Sequence, residues 1–95
     1  MDAEELLRRY TTGERDFAKV DLSNANLSGA NLSGINLCSS NLAEANLDSS
    51  DLSGANLSYA DLLEATLPSA NLSHANLSGA LMTVCYYSNW KMFQH

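Results

Sequence analysis

Residues 15–84 read RDFAKVDLSNANLSGANLSGINLCSSNLAEANLDSSDLSGANLSYADLLEATLPSANLSHANLSGALMTV. Every fifth residue is large and apolar, from Phe17 and Leu22 through Leu77 to Met82. Two places before each stands a small residue, usually alanine, and one place before stands Asn or Asp. A fixed period is read before anything else, because it dictates an architecture of stacked, near-identical units.

A period of five suits neither regular element. On an α-helix five residues advance about 140° beyond a full turn, so the leucines would spiral around the surface. The Asn, Asp, Ser and Gly that load the units also compete with or weaken helical backbone bonds. On a straight strand an odd period sends successive leucines to opposite faces. The pattern works if the chain turns a corner once per unit. The first and third residues of a unit, alanine and leucine, then share the inner face of a short extended segment, and the fourth and fifth make the bend. Four bends close a square coil of about twenty residues, stacked on the next at ~4.8 Å. Gly29, Gly34, Gly54 and Gly79 occupy fifth positions, where a type II turn needs a positive φ. Pro68, the single proline, falls on a fourth position, where such a turn accepts a φ near −65°.

Units such as Ala25-Asn26-Leu27-Ser28-Gly29, Ala55-Asn56-Leu57-Ser58-Tyr59 and Ala75-Asn76-Leu77-Ser78-Gly79 resemble those of the pentapeptide-repeat family. The resemblance implies an all-β fold, a four-sided right-handed parallel β-solenoid; the handedness comes from the resemblance alone. Departures are mild: Val20, Ile35, Ser40 and Ser50 replace the first-position alanine, and Thr66 and Leu81 the Asn or Asp. The opening unit starts on Arg15. The lead-in through Gly13-Glu14-Arg15-Asp16-Phe17 also resembles that of cyanobacterial members.

Stacking by twenty sorts the inward side chains into four columns. They are Phe17-Leu37-Leu57-Leu77, Leu22-Leu42-Leu62-Met82, Leu27-Leu47-Leu67 and Leu32-Leu52-Leu72. At ~2 kcal/mol per buried leucine these columns carry the core, with the alanines filling what is left. The interior is then solid, without a channel for a substrate. Ile35 shares a coil with Ser40 and Ser50, so one large residue is offset by two small ones. Second-position Asn and Asp side chains are expected to bond nearby backbone and brace each turn.

Three segments follow. Residues 1–14 form a helical cap: Asp2 caps the N-terminus, Glu4 and Glu5 lie at the positive end, Arg8 and Arg9 at the negative end, and Gly13 stops it. Leu6, Leu7 and Tyr10 give this helix an apolar side that fits the open end of the first coil, whose strand edges otherwise invite aggregation. Residues 15–84 make about fourteen units, or three and a half coils. Residues 85–95 concentrate Tyr86, Tyr87, Trp90, Met92 and Phe93. Such a segment covers the last coil, pairs two chains end to end into a homodimer, or continues the coil.

A net charge of −6 argues against direct contact with nucleic acid or an anionic membrane. No apolar run reaches the length of a membrane span and the N-terminus lacks a secretory pattern, so the expected location is cytoplasmic. Cys38, at an outward fourth position, and Cys85 are expected to be free thiols. Chemistry finds no foothold. His74 is an outward fifth residue without a buried carboxylate to orient it, two Cys and two His at scattered spacing match no zinc pattern, and the glycines follow the repeat instead of a phosphate loop. The chain is expected to be no enzyme and to need no cofactor or metal.

Function then falls to the outer walls. The side made of residues 20–24, 40–44, 60–64 and 80–84 carries Asp21, Glu44, Asp61 and Glu64, within a span of residues 20–84 that has no Lys or Arg. This side is the candidate surface for an unidentified, basic protein partner; simple solvation of the rod is the plainer explanation. The principal reading is a small rigid protein-interaction module. The alternative, implied by the resemblance, is a mimic of duplex DNA that inhibits or protects a type II topoisomerase. Length opposes it, since three and a half coils span only about 17 Å, roughly five base pairs.

Overall fold

The computed structural model describes residues 1–82. The aromatic segment 85–95, with the homodimer expected from it, and Cys85 lie outside the described residues.

The coil is built by four sets of backbone hydrogen bonds, one of which runs from each fifth-position N–H to a fourth-position carbonyl of the next coil, as Lys19 to Cys38 at 2.9 Å. Each third-position N–H donates to the second-position carbonyl nineteen residues on, from Phe17 to Asn36 at 2.8 Å through Leu57 to Asn76 at 2.8 Å. Each second-position N–H returns a bond to the first-position carbonyl twenty-one residues back, as Asn36 does to Arg15 at 2.8 Å and Asp61 to Ser40 at 2.9 Å. The corner is closed by a bond across each turn, such as Ala25 N–H to the Leu22 carbonyl at 3.0 Å. Parallel bridges run Asp16–Asn36–Asn56–Asn76 along one side and Asn31–Asp51–Asn71 along another. The Arg15 unit is thus a full member of the coil.

Extended structure is nonetheless scarce. Among the described residues only Asp61–Leu62 (β1) and Leu81–Met82 (β2) form strands, paired in parallel; elsewhere the rungs are isolated bridges. The cause is the turn that follows every third position, which leaves one or two residues per side to pair.

Every fifth-position residue from Lys19 to Gly79 has a positive φ, and nine of these are not glycine, with φ of 60–63°. Each Asn or Asp at a second position from Asp16 to Asn76 turns its Oδ1 back to accept the N–H two residues on. The distances run from 3.0 Å at Asp21 to 3.3 Å at Asp16. This is the bracing the composition suggested. At Thr66 the residue two on is Pro68, which has no N–H to donate, and the threonine hydroxyl donates to Asn46 Oδ1 at 3.2 Å instead.

Twelve of the fourteen inward residues, Phe17 through Leu72, are at most 1% exposed; Leu77 and Met82 are partly buried. Ile35, Ser40 and Ser50 are buried together, and the serines do more than make room. Ser40 Oγ accepts Val20 N–H at 3.2 Å and donates to the Phe17 carbonyl at 3.1 Å, bridging the corner where a direct bond would otherwise run. Ser50 Oγ donates to the Leu47 carbonyl at 2.8 Å. Both hydroxyls are satisfied, as burial requires.

Helix α1, Ala3–Thr11, begins on Asp2, whose carboxylate accepts Glu5 N–H at 2.8 Å. Leu6 is fully buried and Tyr10 nearly so against the first coil. Tyr10 donates its hydroxyl to the Ser33 carbonyl at 2.6 Å, and the Met1 ammonium donates to the Asp21 carbonyl at 3.3 Å. Arg9 pairs with Glu14 and with Glu5 and lies over the Phe17 ring, 5.1 Å from its centre. Among the described residues no helix is long and apolar enough to cross a membrane.

Ser58, an outward fourth residue by register, is 7% exposed and hydrogen-bonded to Asn56 Oδ1 at 2.7 Å. It is no free surface position. Leu63, also a fourth residue, is 42% exposed. Leu57→Lys should therefore unfold the chain by burying an unpaired ammonium, whereas Leu63→Lys should melt within a few degrees of wild type. Similar melting curves for the two variants would contradict the register.

Candidate functional site

The four acidic residues of the candidate side come together, but in two different roles. Asp21 and Asp61 are second-position residues in one column, with Asn41 between them. Their carboxylates face their own turns: Asp21 accepts Ser23 N–H at 3.0 Å and the Ser23 hydroxyl at 2.8 Å, and Asp61 accepts Leu63 N–H at 3.0 Å. Glu44 and Glu64 occupy fifth positions with φ of 61° and 63°, one coil apart. The Glu44 N–H is held by the Leu63 carbonyl at 3.0 Å, and its exposed side chain points away from the rod. Glutamates twenty residues apart place two like charges on neighbouring rungs, about 5 Å apart at the backbone. The outward reach of this side thus belongs to its glutamates.

The hydrogen bonds from Ser23, first its backbone N–H and then its hydroxyl, hold the Asp21 carboxyl below the usual aspartate range, with the nearby N-terminal ammonium adding a little and desolvation opposing. In the same way the Arg9 hydrogen bonds lower Glu14.

Apolar side chains that the charge pattern did not signal stand on this wall, at Leu81, and at the end of the adjoining side, at Tyr59. Tyr59 is 68% exposed and Leu81 54%. Leu81 pairs with Asp61 across the ladder, and the Tyr59 ring lies over Gly79, where an added Cβ would approach its Cδ1 to 2.5 Å. Their signal was available in the register: Leu81 sits where Asn or Asp belongs, and Tyr59 and Leu63 sit at turn positions that face outward.

His74 stands outward at a fifth position with φ 63°. Cys38 is half-buried and unbridged. The Ser58 and Ser39 hydroxyls draw its thiol below the ordinary value against burial. That pull is weak, because Ser58 has a single proton and Asn56 Oδ1 is its closer acceptor, at 2.7 Å against 3.3 Å to sulfur. Among the described residues no three His, Cys, Asp or Glu gather as a metal site.

The model for pentapeptide repeats, in eight copies, matches residues 16–54 and 45–83, and the chain belongs to the pentapeptide-repeat family. Proteins of this family form right-handed quadrilateral β-helices and serve generally as structural or interaction modules. Among solved structures the chain is similar to HetL from the cyanobacterium Nostoc sp. strain PCC 7120, a pentapeptide-repeat protein involved in heterocyst differentiation regulation. The two share 36% identity with a TM-score of 0.86 over 87% of this chain and 35% of HetL. The chain thus spans about a third of HetL's length. It is also similar to alr5209 from Nostoc, at 36% identity over 97% of this chain and 88% of the other, with a TM-score of 0.41. No curated protein matches.

The Asp21 geometry has a measurable sign. A depressed folded-state pKa means that the stability Asp21 contributes is present above the unfolded pKa and lost as pH falls through the folded one. Carboxyl titration by NMR should place the Asp21 midpoint below that of an ordinary aspartate, and Ser23→Ala should move it upward. An unmoved midpoint in Ser23→Ala would show that the hydroxyl does not hold the carboxylate.

Proposed function

We propose that this chain is a small, rigid, non-enzymatic protein-interaction module that meets its partner through the acidic side bearing Glu44 and Glu64. The observation that carries the reading is the filled interior. Side chains from Phe17 to Leu72 leave the coil with no cleft at its centre, and the backbone is locked in rungs. What remains for recognition is a fixed array of outward side chains, whose preorganisation lowers the entropic cost of binding. Glutamates that leave the rod on successive rungs suit a basic segment of a partner protein. HetL's part in regulating differentiation fits a role exercised through contacts.

In this reading α1 is a cap. It buries Leu6 against the first coil and shields that coil's open end. Leu6→Asp should lower the melting temperature and raise the apparent mass in light scattering, as uncovered coil ends associate. A monomeric variant with an unchanged melting temperature would remove the cap from the reading.

Affinity capture from the host lysate tests the main proposal. Wild type should retain a specific protein that the Glu44→Lys/Glu64→Lys variant loses, while Ser28→Lys, a charge change on a different side, retains it. Capture that survives the double charge reversal would sink the acidic-side assignment. Inhibition of gyrase supercoiling at micromolar protein would instead favour the topoisomerase mimic.

A further inference from the structure

The lower edge of the first coil lacks a ladder partner, and at Asn31 that edge opens into a groove. Within the coil, Asp51 N–H donates to the Ala30 carbonyl at 2.9 Å and Asn71 N–H to Ser50 at 2.9 Å. The equivalent acceptor for Asn31 N–H would be the Tyr10 carbonyl. That carbonyl is taken, by Gly13 N–H at 3.0 Å and by Arg15 Nη1 at 2.8 Å. The Asn31 carbonyl would by the same rule accept Thr12 N–H, which donates to Arg9 at 3.2 Å instead. Both backbone groups of this exposed residue are left to solvent.

The groove, about 420 Å³, runs between α1 and the first coil, within the range of small-ligand clefts. Leu7, Tyr10 and Ala30 give it apolar walls, and Arg15 and Asn31 its polar lining. The Arg15 guanidinium is fixed before any ligand arrives. It stacks 3.6 Å from the centre of the Tyr10 ring, and Nη1 donates to the Tyr10 and Glu14 carbonyls at 2.8 and 2.9 Å. Those acceptors are neutral, so the charge is uncompensated. No ion pair to Arg15 exists among the described residues, since the neighbouring Glu14 carboxylate is taken by Arg9. The Nε and Nη2 donors remain for a ligand. A locked planar fork with free donors beside an apolar wall is a recognition element for a carboxylate.

We propose that this groove binds a carboxylate carried on a short apolar body, Arg15 taking the carboxylate and Leu7, Tyr10 and Ala30 the body. The site is separate from the acidic side and stands or falls apart from it. Two sources offer this chemistry, a free organic acid and the C-terminus of a peptide. The unpaired Asn31 N–H and carbonyl favour the peptide, because an extended backbone can add one rung there.

The test is an amide NMR titration of the full chain with hexanoate, hexanamide, acetyl-Ala-Val-Leu with a free carboxylate, and the same peptide amidated. Hexanoate and the acid peptide should cause saturable millimolar shifts at Leu7, Thr11, Gly13 and Asn31. The neutral analogues should bind roughly tenfold more weakly, the usual scale of a charge-assisted bond. Arg15→Gln should lose about the same factor, whereas Arg8→Gln, which removes an equal charge from the exposed face of α1, should lose little. A peptide tighter than hexanoate assigns the site to peptide termini, and equal affinities assign it to small acids; either result sustains it. Absent or unsaturable shifts overturn the proposal, as do neutral analogues that bind equally well or an Arg8→Gln loss matching that of Arg15→Gln. Should Arg15→Gln disturb the coil's own resonances, the acid against amide comparison on wild type decides alone.

Discussion

The structure depends on one backbone demand: one residue in five must take the left-handed conformation. Glycine meets it at Gly29, Gly34, Gly54 and Gly79, yet Lys19, Glu44, Tyr59, Glu64 and His74 meet it too, at φ of 61–63°. For a residue with a Cβ this costs about 1 kcal/mol or more. It persists because each corner is fixed several times over. A turn bond closes it, an Asn or Asp side chain clamps the residue before it, and the left-handed residue's own N–H is held from the next coil, as Lys19 is by the Cys38 carbonyl at 2.9 Å. Only with the corner held does the third residue point inward. Burial of the leucines and strain at the turns are therefore two sides of one arrangement.

Much of this was legible because the period states which way each side chain leaves the backbone. From that follow the inward columns from Phe17 to Leu72, the bracing by Asn and Asp and the positive φ at fifth positions; the start of α1 on Asp2 follows instead from the capping chemistry of its carboxylate. What the period does not state is what lies alongside. Ser58 leaves the coil on the outward side, yet it is buried, hydrogen-bonded to Asn56 in its own unit and to the Cys38 sulfur in the preceding coil; the second contact depends on a neighbour twenty residues away. Ser40 could be read as a small residue that makes room for Ile35. That its hydroxyl also bridges the Phe17–Val20 corner depends on a contact between coils that volume alone does not reveal. The scarcity of strands has the same origin, since a two-residue side satisfies its rungs without forming a ladder along the chain.

The acidic side shows the limit of charge counting. Asp21, Glu44, Asp61 and Glu64 are equivalent in composition, but position in the unit separates them. The second-position aspartates are consumed by their own turns, a task that asparagine performs equally well in the same columns, at Asn41 for example. Glutamate is one methylene longer and sits on the far side of the corner, where its backbone is fixed and its side chain is directed outward. A negative charge on a rod of this kind therefore carries meaning for a partner chiefly at fourth and fifth positions.

The repeat also decides where recognition by backbone can occur. Inside the coil each rung group finds its partner nineteen or twenty-one residues away, so translation along the axis exhausts the backbone's capacity to bind anything else. That supply of partners ends at the first coil. The chain meets part of the deficit with the Met1 ammonium on the Asp21 carbonyl and the Tyr10 hydroxyl on that of Ser33. Neither group repeats, and neither reaches Asn31. The same helix that relieves the edge thus leaves a gap beside it, to which the helix brings Tyr10 and the first coil brings Arg15. A perfect repeat would have made every rung alike, so a distinct backbone site arises where the periodic stretch gives way to an irregular one.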